Sequence, residues 1–411
     1  MDSVEDLNNT HNDNKSLERP LGESRVWGLV RRTVVSDACR VLIVISLGSL
    51  LLGVVMKYLM MPEDAQAYEV ISNWMRNWLE LTFSGITMGL LVFMLAIGMT
   101  LVFGLMGVFN LAHGAFIALG TFLCWHVIFR IHMETNVTKT VLWSPMPGKV
   151  PAIERTFVET HGFLYDGNWM TTVLLIVIGL IVATFAMGVI AILYERFIVR
   201  RVYSNPTTQI LMTLGGAVIL IEIILLFYGG ATPRIFKPDF LQGKLFLVES
   251  WGGGVGVDNS RLFAGGIGLV IYFLMHWMLS KTRFGLLVRA GVDDRSMVEV
   301  MGYRIGINFI GVFVLANVLA TIGGSLYAVN SGSVSVSIAD DLLLVVMVAI
   351  MVGGPGSVKG CLFGSIILML SQNYMNGLYT PLGGEFTSVI LLLVILLWRP
   401  KGLVPLGGGN Q

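Results

Sequence analysis

Ten apolar runs, separated by polar or Gly/Pro-rich residues, decide what this chain can become. At about 1.5 Å of rise per helical residue, a run of roughly 20 residues crosses the ~30 Å hydrocarbon core of a bilayer. The runs are Val41–Met61, Leu81–Leu105, Leu111–Phe129, Thr171–Tyr194, Gln209–Tyr228, Phe263–Leu279, Ile305–Ala328, Leu342–Val352, Gly360–Leu370 and Phe386–Trp398. Composition agrees with them. Of 411 residues, 55% are apolar and 13% charged, against roughly 25% charged in a soluble domain. A soluble globule could not hide that much apolar surface, and neither a disordered chain nor a fibrous repeat tolerates it. No strand-like alternation runs through these segments, which argues against a β-barrel. The expected fold is all-α: a polytopic membrane protein of about nine to ten transmembrane helices, some broken at glycines.

The net charge of +1 gives no reason to expect a nucleic-acid partner. Cys39, Cys124 and Cys361 lie far apart in or beside apolar stretches, without the CxxC spacing of a metal site, and read as small packed hydrophobes. Residues 1–40 form a polar tail that turns basic at Arg25, Arg31, Arg32 and Arg40. Val41–Met61 is longer than a usual signal-peptide core, so an extra span retained in the protein is expected there. Residues 62–80 then read as a linker, with Trp74 and Trp78 as an interfacial aromatic anchor.

A ten-pass arrangement with the N-terminus inside places 17 Lys and Arg on inside segments and 9 on outside ones. The bias predicts cytoplasmic termini at both ends. The two long outside segments, 130–170 and 229–262, read as small caps or interfacial hairpins.

Four constellations carry possible chemistry. In Gly104–Gly120 the polar pair Asn110 and His113 sits among four glycines inside a long apolar region. Polar groups at membrane depth must be satisfied, so they line a cavity or pair within the protein. Asn110, His113 and Gly114 are therefore candidates for a translocation path or gate; the alternative is a structural elbow, with Asn110 as a helix cap. No carboxylate or second histidine stands nearby to make His113 a metal ligand or general base. Glu222 is the only acidic residue deep inside a predicted span, and it joins the same candidates.

The stretch Val352–Gly360, with Gly364 beyond, lacks the GxxxxGK[ST] pattern of a phosphate loop. It reads instead as a tight turn between helices whose Gly360 and Gly364 allow close approach. Two Gly-broken segments, at 104–120 and 352–364, hint at an internal repeat with a site between the halves. Finally, the polar stretch 281–304 reads either as a basic loop that fixes topology or as a short surface helix facing a cytoplasmic partner. In the second reading Asp293 and Asp294 suit the helix start and Gly302 its stop, with Met297, Val300 and Met301 on one stripe.

Taken in order, these segments resemble the integral-membrane permease of branched-chain amino acid ABC transporters of the high-affinity uptake type. FSGITMGLLVFMLAIGMTLVFGLMGVFNLAHGAFIALGTF is similar to that family's first-half signature. The form Asn110-x-Ala112-His113-Gly114 resembles one of its two paralogous permeases. YERFIVRRVY, KTRFGLLVRAGVDDRSMVEVMGYRIG, VGGPGSVKGCLFG and WRPKGLVP resemble its later cytoplasmic turn, ATPase-facing loop, Gly-rich turn and C-terminus.

The resemblance implies an inner-membrane assembly with a paralogous permease subunit, two cytoplasmic ATP-binding subunits and an extracytoplasmic solute-binding protein. ATP would be bound by those partners, and this chain would hold no cofactor. Substrates would be branched-chain or other amino acids, urea or short amides. The sequence departs from the family pattern in residues 1–80, in the long segment 130–170 and at Ala115, where the family often has Glu. The competing readings are a stand-alone secondary transporter or channel, which calls for several intramembrane carboxylates, and a membrane enzyme, which calls for a nucleophile–base or metal cluster.

Overall fold

The computed structural model describes residues 37–51, 53–55, 67–127, 135–143, 153–161, 169–203, 205–230, 232–235, 237, 239–248, 255–293, 295–303, 305–378 and 383–404. Most of the expected polar tail lies outside them. Helix α1 spans Asp37–Val55. It is followed by α2 (Ala67–Met106), α3 (His113–Trp125), α4 (Trp169–Phe197) and α5 (Pro206–Tyr228). Then come α6 (Asn259–Lys281), α7 (Arg283–Asp293), α8 (Arg295–Val300), α9 (Ile305–Ser331), α10 (Ile338–Gly353), α11 (Val358–Leu378) and α12 (Gly383–Trp398).

Among the described residues six helices are long and apolar enough to cross a bilayer, or seven if the bent pair α10–α11 forms one span. Helices α3 and α12 are shorter apolar helices. The protein is thus an all-α polytopic membrane protein. Its only strands among the described residues are two antiparallel hairpins, in the segments expected outside. One pairs β1 (Thr135–Trp143) with β2 (Ile153–His161), and the other pairs β3 (Lys244–Val248) with β4 (Val255–Asp258).

Helix α2 is the axis of the molecule. Its 40 residues measure about 60 Å, more than a bilayer core, and most of its length from Ile71 to Gly104 is buried. The segment expected as a linker before Leu81 is therefore helical from Ala67 onward. Glycines let the neighbours come close, as in membrane bundles that lack a hydrophobic drive between helices. A Cβ on Gly89 would lie 2.6 Å from the Ile366 backbone of α11, and one on Gly98 would lie 3.1 Å from Ala316 Cα of α9. From the other side, a Cβ on Gly268 of α6 would lie 2.9 Å from the Leu90 backbone. Phe93, Phe116, Phe122 and Phe313 fill the core between α2, α3 and α9. Helices α4, α5 and α6 lie at the periphery, each burying only a minor part of its surface.

Helix α1 is seated on the outer part of α2 and on α11. The rings of Trp78 and Tyr374 stack with centroids 6.1 Å apart. Trp78 Nε1–H donates to Ser49 Oγ at 3.0 Å, and Trp74 packs against Gly53. At the opposite end of α1, Arg399 Nη2 donates to Asp37 Oδ2 at 2.5 Å. The two tryptophans expected as an interfacial anchor thus hold a helix.

Candidate translocation and coupling site

The chain leaves α2 through an elbow at 107–112. Gly107 takes φ +64°, a left-handed conformation that glycine adopts without penalty. Its N–H still reaches Phe103 O at 3.1 Å, closing the last turn of α2. Asn110 Oδ1 then accepts the Ala112 N–H at 3.2 Å, and Asn110 O accepts the His113 N–H at 3.2 Å. These two bonds lead into α3 and satisfy donors that an apolar helix start would leave orphaned. His113 is buried, and its Nε2 lies 2.9 Å from Leu95 O. A carbonyl only accepts, so Nε2 carries the proton.

Helix α5 pins the elbow from outside. Leu111 N–H donates to Thr213 Oγ1 at 3.3 Å, and Tyr194 O–H donates to Thr213 O at 3.3 Å. Tyr194 fits there because Gly216 has no side chain to occupy that space. The Tyr194 ring packs edge-on to Phe116 (4.9 Å between centroids) and stacks on Phe313 (6.1 Å). Tyr194 thereby joins α4 to α3 and α9.

The two Gly-broken segments meet. A Cβ on Gly104 would run into Gly356, with Gly356 N at 3.0 Å. A Cβ on Gly114 would run into Ala339 O, with Leu343 Cβ at 2.8 Å. The turn from α10 to α11 uses Gly354 (φ +108°) and Gly356 (φ +81°) to bend the chain by 119°. Residues 402–404 close over it: Leu403 N–H donates to Val352 O at 3.0 Å and Val404 N–H to Gly353 O at 2.9 Å. Gly360 and Gly364 face the Gly353 backbone at close range, as their spacing predicts.

Within the stretch 281–304 a short helix lies just before Gly302, and a further helix, which the sequence reading did not foresee, precedes it. The stretch forms α7, then a break, then α8. Asp293 is the last residue of α7, and Asp294 lies outside the described residues, so neither is seen to start α8. Gly302 does end the second helix, with φ +86° and its N–H on Glu299 O at 3.0 Å. Met297, Val300 and Met301 are 59%, 84% and 57% exposed. Val298 points the other way and is buried with Ile305 and Phe309, against Met106 and Tyr203. Met106 immediately precedes the elbow glycine, so α8 and the elbow share one apolar cluster.

Of the four path or gate candidates, the structure brings Asn110, His113 and Gly114 together inside the bundle. Glu222 stands apart, exposed on the outer face of α5. Sequence reasoning missed Thr213 and Glu195. Thr213 also bonds back to Gln209 O of its own helix at 2.8 Å, so on sequence it looks like any helical threonine. Glu195 follows the fourth apolar run by one residue and reads as loop. In the structure it is buried, with Oε1 accepting from Tyr203 O–H at 2.8 Å.

A broken-helix bundle with glycine-hinged turns and an apolar surface helix at one end defines a membrane transport subunit. The family described as branched-chain amino acid transport system / permease component matches residues 81–398, and the chain belongs to it. The high-affinity branched-chain amino acid transport system permease protein BraD of Pseudomonas aeruginosa is 21% identical over 332 residues, covering 80% of this chain and 96% of that protein. The corresponding protein LivH of Salmonella typhimurium is 21% identical over 331 residues, covering 80% and 95%. A probable branched-chain amino acid transport permease protein LivM of Methanocaldococcus jannaschii is 25% identical over 239 residues, covering 51% and 65%. No solved structure matches the chain.

Proposed function

We propose that this chain is one of two paralogous permease subunits of an ABC importer. It carries a small polar solute across the inner membrane: branched-chain amino acids first, with other amino acids, urea or short amides as the wider class. The likeness to BraD and LivH, whose names specify branched-chain amino acid transport, supports that substrate class. ATP is hydrolysed by two separate cytoplasmic subunits, and an extracytoplasmic solute-binding protein delivers the solute. Both termini face the cytoplasm, in keeping with the charge bias of the inside segments.

The observation that carries this reading is the placement of α8. Its outward face offers Met297, Val300 and Met301, and its inward Val298 shares a cluster with Met106 beside the elbow. Closure of an ATPase dimer must reach the membrane through a rigid contact. Met is suited to an irregular docking groove. Movement of α8 would press on Met106 and turn the chain about Gly107, shifting Asn110, His113 and Gly114 against α10. These three residues then gate the path, and Glu222 faces the second permease. Asp293 and Asp294 at the α7–α8 break belong to the same coupling element.

The test is uptake by vesicles containing this chain, its paralogous permease and the ATP-binding subunits, with binding protein outside and ATP inside. Saturable, ATP-dependent uptake of leucine or another member of the class is expected. Burial of one Met contributes roughly 1.5–3 kcal/mol, so Met297→Asp should weaken ATPase retention by at least about tenfold, ~1.4 kcal/mol. Gradient-driven uptake by the chain alone would overturn the assignment.

A further inference from the structure

Helix α5 has two unlike faces. Gln209, Thr213, Gly216, Ala217, Leu220 and Ile224 point into the bundle. On the opposite side Leu211, Gly215, Val218, Glu222 and Leu226 fall on one stripe, spaced by three and four residues, and all are exposed. Two features of this stripe do not suit lipid. Glu222 lies six residues before Tyr228, so it sits roughly 9 Å inside the end of the helix. A glutamate side chain is too short to carry its carboxylate that far to the headgroups, and a charge in hydrocarbon is heavily penalised. Gly215 is the second feature. A mid-helix glycine lowers helix stability relative to Ala, and among the described residues no neighbouring element comes within 4 Å of where its Cβ would be. Among the described residues nothing requires a glycine there. A helix from another subunit would account for it beside Glu222, because small residues admit close backbone approach in a membrane.

Helix α1 covers α2 and α11 through Ser49, Trp78 and Tyr374, whereas the α5 stripe stays exposed among the described residues. We propose that this stripe is the intramembrane seam with the paralogous permease. A helix of that subunit packs against Gly215, and one of its side chains donates a hydrogen bond to the Glu222 carboxylate. The inference rests on the permease reading above and deepens it by naming the face and the chemistry of the contact.

The test uses the full complex, extracted in mild detergent, with this chain tagged and the paralogous permease quantified in the eluate. Gly215→Leu should leave the level of this chain unchanged, since the space around Gly215 is open within the subunit, and should remove most of the co-purified permease. Gly266 on α6 is equally open among the described residues, but its helix carries no acidic residue, so Gly266→Leu should have no effect. Glu222→Leu should lower recovery roughly three- to twentyfold, the range of interhelical hydrogen bonds in bilayers, while Glu222→Gln, which keeps an acceptor oxygen, should stay near wild type. Undiminished recovery in Gly215→Leu overturns the seam, and undiminished recovery in Glu222→Leu overturns the bond. Loss in Gly266→Leu alone moves the seam to α6 and leaves the permease assignment intact. Absence of any second permease from the wild-type eluate strikes that assignment itself.

Discussion

A methyl group at position 114 would collide with the backbone carbonyl of Ala339, and one at 120 would lie 2.9 Å from Thr321 Cα. Backbone cannot swing aside as a side-chain tip can, so Gly114→Leu and Gly120→Leu should each destabilise the bundle by at least about 1–3 kcal/mol, the range for overpacking. Thermal melting of the purified subunit in detergent would show it; melting curves like wild type for both variants would mean that these glycines are merely tolerated. Gly107 differs, because its neighbourhood is open and only its φ is special. Gly107→Ala should cost roughly 1–2 kcal/mol, and Gly107→Asn less, since Asn visits that conformation more readily. The sequence shows such glycines as breaks in apolar runs but not what they meet. Gly104 and Gly356 are more than 250 residues apart and touch, and no local periodicity encodes that meeting. Asn110 was legible as a cap or a path residue; its side chain bonds Ala112 N–H within the elbow, while α3 itself starts without a side-chain cap.

Helix α1 lies outside residues 81–398 that match the family, yet it is bound by specific contacts along its length. Tyr374 O–H bridges Ser46 and Thr82 hydroxyls at 3.4 and 2.8 Å, beside the Trp78 stack. The apolar run itself foretold a helix here, but its hydroxyls gave no sign of their partners on α2 and α11. Of these contacts the Asp37–Arg399 pair should matter least to stability: both side chains keep some solvent access, and partly exposed pairs are worth about 0–1 kcal/mol. Trp78→Ala removes a stacked ring and the donor to Ser49, so it should loosen α1 far more. Ala38 is fully buried, which makes Ala38→Cys a reporter of seating. With the native Cys39 replaced by Ser, maleimide labelling at position 38 should be slow when Asp37 and Trp78 are intact, little faster with Asp37→Asn and much faster with Trp78→Ala. Equal labelling in all three would mean that the tryptophan does not hold the helix. Helix α7 illustrates the converse limit: the short helix before Gly302 was legible from its end signals, but Arg283–Asp293 carries no such signals and its helix was not foreseen.

At the scale of the whole molecule, the same ion pair leads to a prediction about the parity of the membrane crossings. Asp37 opens α1 and Arg399 follows α12, and their side chains meet at 2.5 Å. Two residues in contact at one end of a bundle are separated by an even number of passes. The expected ten passes, with α3, α10, α11 and α12 each crossing once, would meet this condition, as would the six long apolar helices alone; nine would not. The segments that share this end include Lys401, next to Arg399, and the strap 402–404 over the α10–α11 turn, which carries Lys359. Positive residues are retained on the cytoplasmic side, so this end should be the inner one. A fluorescent protein fused after Gln411 should therefore fold and fluoresce. In a chain whose Cys39 is replaced by Ser, Ser36→Cys, one residue before α1, should stay unlabelled by an impermeant maleimide in intact cells and react after the membrane is opened. If position 36 and the C-terminus report opposite sides, the ion pair and the ten-pass arrangement fall together. If both report the outside, parity survives and the charge argument, with the placement of α8 toward cytoplasmic ATPases, is wrong.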